Sequence, residues 1–172
     1  MTEQSLETQV ILKDLFTPTH LTPHPVTGDI YVVDQPGYIY RLPPTLDSIE
    51  LWLDLSHKLL PLDPDYDESG LLSIAFSHDG HNLYLFSSRQ TTSVSVITYV
   101  IASQTLDWDS PDLHLDVISK IPLVDNEPQP DQEVIYFGLV RDHRFHHGGK
   151  IVLDQHGYLY ISTGDGGPQK DP

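Results

Sequence analysis

Apolar residues along this chain come in short runs that alternate or are β-branched, not in the three-to-four-residue period of an amphipathic helix. Three runs share a form, a turn followed by apolar-Tyr-apolar: Ile30-Tyr31-Val32, Leu83-Tyr84-Leu85 and Leu159-Tyr160-Ile161. Between them, Leu51-Trp52-Leu53-Asp54-Leu55 and Val94-Ser95-Val96-Ile97-Thr98-Tyr99-Val100 also read as strands. Leu46 to Leu60 comes closest to a helical pattern, but Ile49, Trp52 and the flanking prolines argue against it. Met1 to Thr8 reads as a polar tail leading into a strand at Val10-Ile11-Leu12.

A unit of about 40 to 50 residues repeated along a chain is what a four-stranded propeller blade occupies. The spacing of the tyrosine strands fits such units. The longer second gap is accounted for by an insertion, an extended acidic, proline-rich loop at about 104–133 that includes Pro111, Pro122, Pro128 and Pro130. The expected fold is therefore all-β, a β-propeller of which 1–172 supplies about three antiparallel four-stranded blades. A propeller closes with about four to eight blades, since an open fan leaves bare strand edges. The chain is expected to be the N-terminal portion of a larger ring, completed by a second chain, by a copy of itself in a homo-oligomer, or by further sequence.

The 25 acidic residues against 9 Lys plus Arg give a net charge of −16, which argues against a phosphate-tracking surface and hence against nucleic acid as a partner. The absence of cysteine excludes disulfides and thiolate metal sites. No apolar run approaches the roughly 20 residues of a membrane span, and the first residues lack the layout of a signal peptide, so a soluble chain is expected.

The densest concentration of chemistry is HHGGKIVLDQHGYLYISTGDGGPQKDP, residues 146–172. Two short strands joined by Gln155-His156-Gly157 form a hairpin, and antiparallel pairing brings the residue before the first strand beside the residue after the second. His146 and Asp165 are thus expected neighbours. A carboxylate that fixes the tautomer of an imidazole and stabilises its protonated form makes a general base. The alternative is ordinary turn chemistry with a half-exposed polar histidine. A second alternative gathers Asp142, His143, His146 and His147 around zinc, though His146 and His147 on an extended strand would face opposite ways. His20, His24, His57 and His114 read as solvated loop residues, and His78, His81 and His156 as surface groups at turns.

The 146–172 string resembles the signature of the soluble quinoprotein glucose dehydrogenase and aldose sugar dehydrogenase family, roughly H-N-G-G, strand, D-G, strand, G-D-G-G and D-P. Asp67 to Gly80, DESGLLSIAFSHDG, resembles that family's E-R-G-L-L-G-I-A-F-H-P-D block, and Gly28 to Gly37, GDIYVVDQPG, its opening G-x-L-Y-V-x-D-x-x-G. The resemblance implies a six-bladed propeller and a sugar dehydrogenase related to glucose/sorbosone dehydrogenases, with pyrroloquinoline quinone and calcium as cofactors. By the same resemblance His146 is the base that takes the sugar hydroxyl proton and Asp165 the carboxylate that orients it. Glu68 falls where some members place a polar group near the quinone, and His147 stands for the usual Asn at the mouth. The family's main quinone and calcium ligands come from later blades and have no counterpart in this sequence. An alternative within the family is a non-catalytic binding propeller, like its Hedgehog-interacting members, although those are cysteine-rich.

Overall fold

A computed structural model describes residues 8–93, 99–100, 107 and 109–167 of the chain. The described residues build three successive β-sheets. The first is a four-stranded antiparallel meander of β1 (Pro18–Pro23), β2 (Ile30–Asp34), β3 (Tyr38–Leu42) and β4 (Glu50–Asp54) in that order. The second holds β5 (Leu71–Phe76), β6 (Asn82–Gln90), β8 (His114–Val124) and β10 (Val134–Arg141), again antiparallel neighbours. Two short strands join it: β7 (Tyr99–Val100) runs parallel to β10, and β9 (Glu127–Pro128) folds back on β8. The third is a hairpin of β11 (Gly148–Leu153) and β12 (Leu159–Thr163). Among the described residues, helical structure is confined to three single 3₁₀ turns.

These are propeller blades, two of them complete and the third represented by one hairpin. Each of the three tyrosine strands is the second strand of its blade, β2, β6 and β12. The turn before each is closed by a backbone bond, from His24 to Asp29, Ser77 to Asn82 and, one residue shorter, Asp154 to Tyr158.

The alternation within those strands explains how the blades stack. On β6, Leu83 and Leu85 face back into a core shared with the first blade, which includes Tyr31, Val33, Trp52, Ile74, Phe76 and Ile121. Tyr84 and Phe86 face forward into a second core with Ile118, Ile151, Leu159 and Ile161 of the third. Tyr31 packs edge-on against Trp52, with centroids 4.5 Å apart, and lies 4.8 Å from Phe76. Among the described residues no helix is long and apolar enough to cross a membrane.

Several expectations are corrected here. Residues 114–124, read as part of an acidic loop, form the longest strand among the described residues and the centre of the second blade. Its charged residues are accommodated because Asp116 is paired inside the protein and Lys120 is only partly buried. Leu46 to Leu60, by contrast, is as expected: it holds the strand β4 and only a single 3₁₀ turn, Ser56–Lys58. Val10 to Leu12 is outside the strands, with Val10 and Ile11 exposed; the first strand starts at Pro18. Of the expected strand Val94 to Val100, residues 94–98 lie outside the described residues, as do 104–106 and 108 of the expected loop.

Candidate functional site

The β11–β12 hairpin brings His146 and Asp165 together. Its pairing continues past Gly148 and Thr163 through Gly164 N–H to the His147 carbonyl (2.8 Å) and Gly166 N–H to the His146 carbonyl (3.2 Å). A Cβ at Gly164 would overlap the His146 carbonyl, so this close crossing requires glycine. The imidazole Nδ1 of His146 lies 2.9 Å from Asp165 Oδ1. A carboxylate accepts only, so Nδ1 carries the proton and Nε2 the lone pair. The two side chains are 38% and 50% exposed, so the ring is open to a ligand. The Gly167 N–H and His146 hold the Asp165 carboxyl below the usual carboxylate range.

Glu68 fixes the backbone of the base. Its Oε2 accepts the His146 N–H at 2.7 Å and its Oε1 accepts the Tyr66 hydroxyl at 2.5 Å. The Tyr66 bond is the main reason its pKa is lowered; burial opposes, and the His146 N–H adds. Arg144 clamps the loop that carries Glu68, donating to Asp67 (2.6 Å), to the Pro61 carbonyl (2.8 Å) and to Asp112 (2.8 Å), while the Glu68 N–H returns to the Arg144 carbonyl at 3.1 Å. Tyr66 also stacks on Phe145, with centroids 5.4 Å apart. His146 itself takes φ 61°, a left-handed conformation that few side chains adopt, and the Glu68 bond is made to it in that state.

His147, expected beside His146 at the mouth, is 1% exposed and turned into the protein, held there by the buried Asp116. Its Nδ1 lies 2.9 Å from both oxygens of Asp116. Asp116 also accepts from Arg141 Nε and Ser88 Oγ, each at 2.8 Å, and Arg141 continues to the Gly164 carbonyl at 3.1 Å. One buried carboxylate thus ties together the segments that carry His146 and Asp165. Burial alone would raise the Asp116 pKa; His147 and Arg141 overcome this and hold it low.

The cluster Asp142-His143-His146-His147 does not assemble. Asp142 accepts the Asp107 N–H, His146 faces Asp165 and His147 faces Asp116. Asp116, Arg141 and Tyr66 were not singled out from sequence, and His114, read as solvated, is fully buried. The available signal was His114-x-Asp116, two polar residues two apart in a strand, hence on one face. His24 is also buried, its ring edge-on to Phe76 at 4.7 Å and its Nε2 3.3 Å from the Gly80 carbonyl.

The chain's fold is similar to that of several solved structures. A glucose dehydrogenase matches with a TM-score of 0.58 at 16% identity, over 87% of this chain and 41% of that one. A second glucose dehydrogenase matches with a TM-score of 0.59 at 16% identity, over 88% and 39%. A protein from Thermus thermophilus, described as a putative oxidoreductase (glucose dehydrogenase), matches with a TM-score of 0.57 at 18% identity, over 87% and 37%. The chain therefore spans about two fifths of the length of these proteins, and at such identities the likeness is one of fold. No protein-family model matches the sequence.

Proposed function

We propose that this chain supplies the proton-accepting part of a sugar dehydrogenase-like oxidoreductase site, with His146 as general base, Asp165 as its orienting carboxylate and Glu68 as the group that fixes the base's backbone. The observation that carries this reading is the His146–Asp165 contact of 2.9 Å on a half-exposed ring whose Nε2 is left to accept a proton. A sugar hydroxyl hydrogen-bonded to Nε2 would pass its proton there as its carbon gives up hydride to an acceptor. Asp165 then faces an imidazolium, whose charge it offsets.

The quinone and calcium that the sequence resemblance implies do not find a cradle among the described residues. Pyrroloquinoline quinone carries carboxylates that need cations, and the two arginines nearest His146 are already engaged, Arg141 with Asp116 and Arg144 with Asp67 and Asp112. The hydride acceptor and its ligands are assigned to the rest of the ring, supplied by a second chain, by a copy of this one or by further sequence. The forward face of the third blade is suited to such a neighbour: Val152, Tyr158 and Tyr160 are exposed on it.

The test is dye-linked oxidation of aldoses with added quinone and calcium. The 172-residue chain is expected to be inert alone, because an open fan of blades does not exclude water from the reaction centre. With the ring completed in cis or in trans, turnover is expected. Turnover by the isolated chain would show the acceptor site to be misplaced in this reading.

A further inference from the structure

At the seam between the second and third blades, three polar side chains share one buried place. His114 and Asp116 project from the same face of β8, and His147 comes from the segment entering β11; they are 0%, 0% and 1% exposed. Each brings a potential ligand atom to within 4.8 Å of the other two, and the imidazole centroids are 5.1 Å apart.

The hydrogen bonds decide where the lone pairs are. His147 Nδ1 lies against the Asp116 carboxylate, and His114 Nδ1 lies 2.6 Å from the Asp112 carbonyl oxygen. Both acceptors lack protons, so each Nδ1 is the donor, and in the neutral ring the lone pair falls on Nε2. Both Nε2 atoms are buried without a hydrogen-bond partner. Buried polar atoms in folded proteins are nearly always satisfied, so two orphans in one cluster each call for a partner. An imidazole whose Nδ1–H is anchored by a carboxylate or carbonyl, with Nε2 bare, is the arrangement found behind metal-ligating histidines.

We propose that His114 and His147 bind a late first-row divalent cation through their Nε2 atoms, with Asp116 anchoring His147 from behind. Every hydrogen bond of Asp116 to Arg141, Ser88 and His147 is kept in that arrangement. Nitrogen donors select zinc, copper, nickel or cobalt over calcium and magnesium, which take oxygen ligands.

The full 172-residue chain, stripped with a chelator, would be titrated with zinc by calorimetry while long-range proton–nitrogen spectra follow the imidazoles. The expected result is one zinc per chain, calcium in large excess leaving the isotherm unchanged, and Nε2 resonances of His114 and His147 moving while those of the surface residues His78 and His156 stay. His114→Gln, checked for native circular dichroism, should abolish the binding. The spectra of the unsubstituted protein stand by themselves if that variant does not fold. Absence of stoichiometric zinc binding would overturn the proposal, leaving a buried water to serve both nitrogens. Movement confined to other histidines, or binding that a folded His114→Gln retains, would overturn it equally.

Discussion

Ser73 of the second blade joins the third through both halves of its hydroxyl, donating to the Gly149 carbonyl at 2.5 Å and accepting the Ile151 N–H at 3.0 Å. This serine completes the backbone hydrogen bonding of β11 where the strand turns toward the neighbouring sheet. Ser73→Ala leaves a buried carbonyl and a buried N–H without partners and is expected to cost about 1–3 kcal/mol. Urea unfolding measures it, and a loss within experimental scatter would mean that water replaces the hydroxyl at this seam.

The buried Arg141–Asp116–His147 network makes a stronger demand. Asp116→Asn removes the charge that compensates a guanidinium only 2% exposed, and breaking one partner of a buried pair costs about 3–5 kcal/mol. A thermal or chemical denaturation midpoint barely below that of the unsubstituted chain would show that Arg141 is neutralised by another group.

Acid stability should depend on Glu133. Burial pushes its carboxyl upward, but Arg89, bonded at 2.6 Å, together with Ser119 and Lys58 brings it down to about 2. A carboxylate depressed in the folded state contributes fully above its unfolded value and loses that contribution as pH falls through the folded one. Stability is therefore expected to drop between about pH 4.5 and pH 2. Glu133→Gln should flatten that limb while lowering stability at neutral pH. An unchanged acid limb in Glu133→Gln would assign the effect elsewhere.

For the proposed base, the informative substitution is His146→Asn. Asparagine tolerates the left-handed backbone that His146 adopts at φ 61°, so the variant removes the imidazole with little added strain. In a completed ring, kcat is expected to fall at least about a hundredfold, the lower range for a positioned general base. Turnover indifferent to the change would move the protein to the binding class.

The sequence disclosed what depends on neighbours in the chain. The tyrosine strands and the His146–Asp165 approach follow from alternation and from one hairpin, both local. What it concealed depends on distant pairing. β8 read as a loop because Asp112, Asp116, Asp125 and four prolines interrupt its surroundings. The carboxylate of Asp116 is acceptable within a strand only through Arg141 and His147, which arrive from the end of β10 and beyond it. His114 and His147 escaped notice as a pair for the same reason: separate blades deliver them to one seam. Among the prolines of the expected loop, Pro122 sits at the end of the β6–β8 ladder, opposite Asn82, and Pro128 on the short strand β9.

The forward-facing tyrosines differ in how much cover they receive. Tyr31 is 0% exposed beneath the second blade, Tyr84 is half-buried beneath the third, and Tyr160 is 60% exposed. When each unit is stabilised chiefly by the next, resistance to local opening is graded along the array. Amide protons of β2 and β6 should exchange with solvent last and those of β12 first. A neighbour settling on β12 would then announce itself as slowed exchange in the very strand that positions Asp165, coupling assembly of the ring to the rigidity of its proton acceptor.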